Sequence, residues 1–214
     1  MIKELISAGI PDNEFIRDTV PMTKMEVRVI SISKLQITEG DRVMDIGAGT
    51  GSVSIEIARL LPNSTVYAVE HKAKAVDLIK QNAQKFNTLN LEVIHGKAPE
   101  VLTGLKHVNK FFIGGSSGNL VEILDWIVAN GAPNSHIVVN AVTLETLTLA
   151  SHCLSGIGFS DLEIIQVAIN RVEELGGVDM FRAMTPVFVI SARRMASPSP
   201  SKGGERGLVA CCGE

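Results

Sequence analysis

The chain has 214 residues, 45% of them hydrophobic and 20% charged, which is typical of one soluble globular domain. Its net charge of −3 provides no broad positive field, so the composition argues against a nucleic-acid partner. No apolar run approaches a membrane span and residues 1–9 lack the apolar core of a signal peptide, so we expect a cytoplasmic protein without a membrane partner.

The chain is predicted to begin with an arm, residues 1–22, that has no sustained pattern beyond a short possible helix at 13–17. Thr23 and Glu26 have the spacing of a capping box. Apolar residues then recur at helical spacing, which predicts that a helix begins at about Lys24.

Short β-branched runs then alternate with amphipathic stretches. The predicted strands are residues 42–46, 65–69, 91–95, 110–113 and 135–140. The predicted helices are residues 51–61, 73–87, 117–130 and 143–155. This alternation predicts a parallel, doubly wound sheet of the Rossmann-like α/β class.

Two more predicted strands, 162–168 and 187–192, have no long helix between them. They predict an antiparallel C-terminal edge on a mostly parallel, seven-stranded sheet. The segment between them, 171–184, contains adjacent acidic residues and adjacent glycines. It fits an exposed excursion near the site or at a subunit interface.

The domain is expected to span residues 23–194. Residues 195–214 become rich in Ser, Pro and Gly and lose the hydrophobic period, so we expect a disordered tail. Cys211 and Cys212 lie in this tail without further ligands beside them, and the histidines lack metal-ligand spacing. We therefore predict no metal site.

A glycine-rich turn follows the first predicted strand. Asp45 closes the strand, and Gly47, Gly49 and Gly51 follow at every second position. Such a turn needs residues without a Cβ, because the backbone reverses direction and lets a ligand approach closely. The next helix directs its free N–H groups to the same place. A structural turn without a ligand is the alternative.

Spacing separates the classes of nucleotide site. A dinucleotide-binding G-x-G-x-x-G is excluded because Ser52 stands three residues beyond Gly49. A P-loop is excluded because no lysine follows the glycines before Arg59. The pattern resembles motif I of the class I methyltransferases, whose loop backs onto the methionine part of S-adenosylmethionine. That resemblance assigns the following residues to the cofactor: Gly47, Ala48, Gly49, Thr50 and Gly51.

Two later strand ends complete the predicted cofactor site. Glu70 ends the second strand, where a doubly wound sheet places a carboxylate that binds a ribose, although a solvated Glu is possible. The third strand leads to Lys97 and Ala98, which by the same resemblance border the adenine. An acidic residue is usual at the position of Lys97. Because an ammonium group cannot accept a hydrogen bond from the adenine amine, backbone groups near Ala98 would have to do so.

The loop after the fourth strand opens with Gly114 and Gly115. The catalytic tetrapeptide of nucleic-acid and protein N-methyltransferases is missing there. The two glycines fit a wide, flat substrate beside the methyl group, with an ordinary strand-to-helix loop as the equal alternative.

Several segments together resemble the decarboxylating cobalt-precorrin C15-methyltransferases of cobalamin biosynthesis. These are residues 20–28, 45–51, 98–100, 114–118 and 140–146. The resemblance implies methyl transfer from S-adenosylmethionine to C15 of cobalt-precorrin-7, with loss of CO2 from the C12 acetate. It also implies a homotetramer, and it adds Thr23 to the cofactor contacts.

A precorrin carries many carboxylates, so its site should be rimmed by cations. The candidates are Arg17, Lys24, Arg28, Arg171 and Arg182, each of which could instead be a solvated surface charge. We hypothesise that several converge at the mouth of the cofactor pocket. Glu145, after the fifth strand, could orient the substrate or simply cap the next helix.

No residue is assigned a catalytic role, because an electron-rich meso carbon mainly requires alignment with the methyl group. Two alternatives stay open. One is another small-molecule or RNA methyltransferase with the same cofactor pocket, and the other is a non-catalytic cofactor-binding subunit.

Overall fold

The computed structural model describes residues 7–156 and 158–195. The helices are α1 (Met25–Leu35), α2 (Ser52–Leu60), α3 (Ala73–Lys85), α4 (Leu120–Asn130) and α5 (Leu144–Leu154). The strands are β1 (Arg42–Ile46), β2 (Thr65–Glu70), β3 (Leu91–His95), β4 (Lys110–Ile113), β5 (His136–Ala141), β6 (Phe159–Val167), β7 (Asn170–Leu175), β8 (Val178–Ala183) and β9 (Val187–Arg194).

The main sheet has seven strands in the order β3-β2-β1-β4-β5-β9-β6. Strands β1 to β5 pair in parallel, and β9 pairs antiparallel with both β5 and β6. This confirms the predicted Rossmann-like α/β sheet with its antiparallel C-terminal end. β9, the last strand of the described residues, inserts beside β5 and leaves β6 at the edge.

The hydrophobic core lies on both faces of the sheet because successive strand residues point to opposite sides. Val43 and Phe112 pack in the cluster that includes residues of α1 and α2. Their neighbours Met44 and Phe111 pack in the cluster that includes α4 and α5. Helices therefore cover both faces, which explains why β1 and β4 are almost entirely buried.

The start of α1 differs from the prediction. Lys24 occupies the N-cap position, and no side chain caps the helix there, so the predicted capping box of Thr23 and Glu26 is wrong. The first helical N–H, that of Met25, instead donates to Asp12 Oδ1 at 3.0 Å. A carboxylate from the arm thus satisfies one of the free N–H groups of this helix.

Residues 171–184 form most of a separate β7–β8 hairpin. Gly176 and Gly177 make its turn with φ values of +63° and +84°. Two central residues with positive φ are typical of the tight turns that join antiparallel strands.

No helix within the described ranges is both long and apolar enough to cross a membrane. Apart from Met195, the predicted tail and its two cysteines lie outside the described residues.

Candidate functional site

The glycine-rich loop joins β1 to α2 at the carboxyl edge of the sheet. Gly47, Gly49 and Gly51 have φ values of +74°, +58° and +78°, in the left-handed region that disfavours side chains. Gly47 also lies against the loop that follows β4, because a Cβ there would come within 2.7 Å of Gly115 N. The loop therefore needs glycine for its conformation and, at Gly47, for close packing.

Backbone hydrogen bonds hold this loop between the neighbouring strands. The N–H groups of Gly47 and Ala48 donate to the Val69 carbonyl at 2.9 and 3.1 Å. The N–H of Gly114 donates to the Ile46 carbonyl at 2.9 Å. The ends of β1, β2 and β4 are consequently fixed relative to one another.

Asp45 is fully buried behind the loop. Its Oδ2 accepts hydrogen bonds from the Ser54 hydroxyl and from the Ser54 N–H, the latter at 3.1 Å. Its Oδ1 is buried without a hydrogen-bond partner among the described residues. Burial raises the pKa of Asp45 to about 7, and the charge of Glu70 adds a smaller increase. The hydrogen bonds from Ser54 act in the opposite direction and lower the pKa. This carboxyl group therefore titrates near neutral pH.

Glu70 ends β2 and is only 5% exposed. Its Oε2 accepts the Gly49 N–H at 2.9 Å. Its Oε1 accepts the N–H groups of His71 and Lys72 at 2.8 and 2.9 Å. A carboxylate has about four acceptor positions, so the backbone occupies three and leaves one for a ligand hydroxyl. Glu70 thus holds the glycine loop as well as facing the site.

A narrow cleft opens at this edge of the sheet. Its lining residues are Ile46, Gly47, Val69, Glu70, His71, Gly96, Lys97, Ala98, Gly115, Ser116 and Ser117. The structure therefore brings Gly47, Glu70, Lys97 and Ala98 together, as expected for one ligand site.

Side chains without a predicted role lie in the lining of the cleft, as His71 does, or contact a lining residue, as Asn119 does. His71 Nδ1 lies 3.2 Å from Glu70 Oε1 and 3.4 Å from Ser117 Oγ. Asn119 Nδ2 donates to the Ala98 carbonyl at 3.0 Å and so ties the loop after β3 to the start of α4. For His71, the sequence signal is its position directly after Glu70. The contact between Asn119 and Ala98 spans 21 residues, and no sequence pattern indicates it.

The loop after β4 leaves open space beside the cleft. Gly114 and Gly115 are exposed, and a Cβ at Gly115 would meet no atom within 4 Å. Thr143 caps α5 by accepting the Thr146 N–H at 3.2 Å. Glu145, exposed in the first turn of α5, is therefore not needed as the cap.

Arg28 does not lie at the mouth of the cleft. Its side chain is fully buried and donates to Glu56 Oε2 at 2.6 Å, to the Thr23 carbonyl at 2.7 Å and to the Ile10 carbonyl. The prediction that Arg28 contacts substrate carboxylates is therefore wrong, because its guanidinium is enclosed by protein and already hydrogen-bonded.

Other predicted cations remain at the surface. Lys24 Nζ lies 3.6 Å from Asp12 Oδ2, and Arg171 Nη2 lies 2.6 Å from Glu26 Oε1. Both cations thus lie near the first turn of α1, while Arg17 is exposed further back along the arm.

The β7–β8 hairpin is exposed at every residue. Arg182 lies opposite Arg171 on this hairpin and is 74% exposed, with Glu173 3.2 Å away. Large apolar side chains are also exposed there, namely Val172, Leu175, Val178, Met180 and Phe181. A concentration of exposed apolar residues marks an interaction surface.

Comparison with known proteins agrees with this architecture. The profile of the precorrin methyltransferase domain family matches residues 13–194. A protein from Saccharolobus solfataricus, named a probable cobalt-precorrin-6B C(15)-methyltransferase (decarboxylating), is 40% identical over 87% of this chain and 96% of its own length. A Salmonella typhimurium protein named cobalt-precorrin-6B C(15)-methyltransferase (decarboxylating) is 35% identical over 86% and 95%.

Among solved structures, a precorrin-6y C5,15-methyltransferase from Geobacter metallireducens is similar with a TM-score of 0.83 and 37% identity. The match covers 89% of this chain and 100% of that one. The fold and these relatives imply use of S-adenosylmethionine. On this evidence the chain belongs to the family of decarboxylating precorrin C15-methyltransferases, as the sequence resemblance predicted.

Proposed function

We propose that this protein transfers a methyl group from S-adenosylmethionine to C15 of a cobalt-precorrin, promotes loss of CO2 from the C12 acetate, and acts as a cytoplasmic homotetramer. The observation that carries the proposal is the cleft between the glycine-rich loop, Glu70 and the Gly114–Gly115 loop. The relatives' names specify cobalt-precorrin-6B, whereas the sequence resemblance implied cobalt-precorrin-7, so both are test substrates.

The residues present fit the cofactor. Asp45 Oδ1 and Thr50 Oγ1 are buried without hydrogen-bond partners among the described residues, next to the glycine loop. Unpaired polar atoms of this kind are costly unless a ligand or water satisfies them. The loop can also be approached closely where Gly47 and Gly49 have no side chain, and Glu70 has one free acceptor position.

The resemblance and this fit together assign the cofactor contacts. The glycine loop from Gly47 to Gly51, including Ala48 and Thr50, would hold the methionine part, with a further contact from Thr23, which directly follows the arm. Glu70 would accept a ribose hydroxyl. Lys97 and Ala98 would border the base.

S-adenosylmethionine supplies an electrophilic methyl group on a sulfonium centre. The protein's task is then to align the acceptor carbon with that methyl group, and alignment can contribute on the order of 7–11 kcal/mol. The exposed backbone of Gly115, where a Cβ would meet no atom within 4 Å, leaves room for a flat ring. Val142, just after β5, and Leu144, the first residue of α5, are 64% and 73% exposed and would provide apolar surface for its face.

Carboxylates at the ring periphery require cations. Lys24 and Arg171 pair with Asp12 and Glu26 at the protein surface, so a substrate carboxylate would compete with these partners. Arg17 and Arg182 are exposed and supply further positive charge. Glu145 remains a candidate for orienting the substrate. An apolar surrounding would favour decarboxylation by removing water from the C12 acetate.

The exposed hairpin supports the proposed oligomer. Apolar side chains such as Phe181, 81% exposed, are better accommodated against equivalent hairpins of other copies than in water. The cytoplasmic location fits a chain whose three cysteines are too few for a disulfide framework.

The decisive experiment incubates the purified protein with S-adenosylmethionine and either cobalt-precorrin-6B or cobalt-precorrin-7, with metal-free rings in parallel, and follows the product mass. A gain of one methyl group together with loss of CO2 is expected. Cofactor binding without any mass change would favour the non-catalytic subunit and overturn the proposal.

The cofactor assignment has its own test. Replacing Glu70 with Ala should weaken S-adenosylhomocysteine binding by about 1.5–3 kcal/mol or more, because the loop loses its anchor along with the ligand contact. Calorimetric titration measures this, with Glu122→Ala on the exposed face of α4 as the control. Equal affinities in the two variants would contradict the assignment.

A further inference from the structure

The arm is joined to the rest of the domain through a buried charged group. Arg28 donates to the Ile10 carbonyl near the start of the described arm and to the carbonyl of Thr23, the residue that directly follows the arm. It also lies 3.3 Å from Asp12 Oδ1, and its guanidinium stacks 4.9 Å from the Phe15 ring centroid. One side chain therefore holds both ends of the arm.

Glu56 of α2 completes this anchor from the domain side. It is 1% exposed, and its carboxylate accepts Arg28 Nε at 2.6 Å. It also accepts the Gly9 and Ile10 N–H groups at 2.5 and 3.2 Å. Since a buried ion pair contributes little net stability, this pair is better suited to fixing one geometry of the arm.

The middle of the arm is tied to the glycine loop itself. Asn82 of α3 accepts the Ile16 N–H at 2.7 Å and donates to the Ile16 carbonyl at 2.8 Å. The same amide group donates to the Thr50 carbonyl at 3.0 Å. One fully buried side chain thus connects the arm to the loop.

The end of the arm lies directly over that loop. A Cβ at Gly49 would come 2.9 Å from the Pro21 carbonyl oxygen and 3.8 Å from Val20 Cγ1. The arm therefore covers the part of the loop that is proposed to hold the methionine end of the cofactor, whereas the adenosine end is bordered by β2 and β3.

From these contacts we infer that Arg28, through Glu56, is a positioning residue that fixes the arm over the glycine loop and thereby sets the affinity for the methionine end of the cofactor. This rests on the proposed use of S-adenosylmethionine. Arg28 then acts on the cofactor site from the core of the protein, without contacting the ligand.

The test compares two ligands that share the adenosine part. S-adenosylhomocysteine has the amino-acid end, and 5′-methylthioadenosine lacks it. In Arg28→Gln, the dissociation constant for S-adenosylhomocysteine should rise about tenfold, because the loop is no longer preorganised. The constant for methylthioadenosine should stay within about twofold. A general loss of structure would weaken both ligands alike.

A matched control is another buried arginine that donates to backbone carbonyls away from the arm. Arg194 is 6% exposed and donates twice to the Val128 carbonyl, at 3.0 and 2.7 Å. Arg194→Gln should lower stability without changing the ratio of the two dissociation constants. Arg28→Lys keeps a charge opposite Glu56 and should fold even where Arg28→Gln does not. Its ratio of the two dissociation constants should lie between those of the wild-type protein and Arg28→Gln.

Hydrogen exchange gives a second readout. The Gly9, Ile10 and Ile16 amides should exchange at least about tenfold faster in the Arg28 variants, with β1 amides unchanged. An unchanged ratio of the two constants in both Arg28 variants would overturn the inference while leaving the cofactor assignment intact. Failure of the wild-type protein to bind S-adenosylhomocysteine would overturn both.

Discussion

The carboxyl edge of the sheet and the β7–β8 hairpin both depend on glycines with positive φ, but their surroundings are opposite. At the carboxyl edge, Gly47 is in contact with a neighbouring loop and Glu70 accepts three backbone N–H groups. On the hairpin, a Cβ added at Gly176 or Gly177 would meet no atom within 4 Å, and apolar residues face solvent. The first region is packed against neighbouring parts of the chain, whereas the apolar side chains of the second are exposed in this structure.

The largest expected effect separates packing from backbone strain at these glycines. Both Gly47→Ala and Gly176→Ala place a side chain at positive φ, which costs roughly 1–2 kcal/mol. At Gly47 the added Cβ also meets the Gly115 backbone, so we expect a total loss of more than about 3 kcal/mol and no measurable binding of S-adenosylhomocysteine. Urea denaturation and calorimetry measure the two effects. Equal losses of stability in the two variants would mean that the close contact carries no energy.

The next effect tests whether the hairpin is an interface. Phe181→Asp should dissociate the proposed tetramer, since each copy loses about 1.5–3 kcal/mol of apolar burial and gains a charge. Sedimentation velocity should show a smaller species that still binds S-adenosylhomocysteine. Leu89→Asp, at a 90% exposed residue outside the hairpin, is the control and should leave the assembly unchanged. If Phe181→Asp remains a tetramer, the contacts between copies lie on another surface.

Local patterns were sufficient to predict the sheet. The short apolar runs placed β1, β3 and β4 at the residues where the structure has them. The apolar signal is strong for β1 and β4 because they are buried, whereas β3 is a partly exposed edge strand. The hairpin was predicted only as an exposed excursion, although its Gly176-Gly177 pair is the turn signal for two antiparallel strands. Its exposed apolar side chains lack the alternation that would have identified it.

The residues of the cleft were predictable because they follow the ends of parallel strands, as Gly47, Glu70, Lys97 and Ala98 do. The glycine loop and Glu70 were found from their spacing within one β-α-β unit. The burial of Arg28 was not, because it depends on Glu56, 28 residues away, and on an arm that folds back over α2. The Asn82 contact with Ile16 spans 66 residues and follows no periodic pattern. A charged residue on an amphipathic helix gives no sign of such partners.

The third effect concerns pH and compares a buried carboxyl group with an exposed one. Burial raises the pKa of Asp45 to about 7, so between about pH 4 and 7 the folded protein binds more protons than the unfolded chain. The free energy of unfolding should therefore fall as the pH rises through this window, by up to about 1.4 kcal/mol per pH unit from Asp45. The charge of Glu70 contributes to the raised pKa. Asp45→Asn should remove that slope.

Urea denaturation from about pH 4.5 to 7.5 measures the slope. The control is Asp179→Asn on the exposed hairpin, which should leave the wild-type slope unchanged. Parallel pH profiles for the wild-type protein and Asp45→Asn would show that Asp45 is ionised throughout this range.

The smallest expected effect lies at the base end of the cleft, at Lys97. The adenine amine is a hydrogen-bond donor, and an ammonium group can only donate, so the two cannot pair. Lys97→Glu supplies an acceptor and should tighten S-adenosylhomocysteine binding by about 0.5–1.5 kcal/mol. S-inosylhomocysteine, which has a carbonyl oxygen in place of the amine, should respond in the opposite direction. Lys72→Glu makes the same change in charge on the ribose side and should leave the ratio of the two affinities unchanged. If it shifts the ratio equally, net charge rather than the hydrogen bond determines the preference.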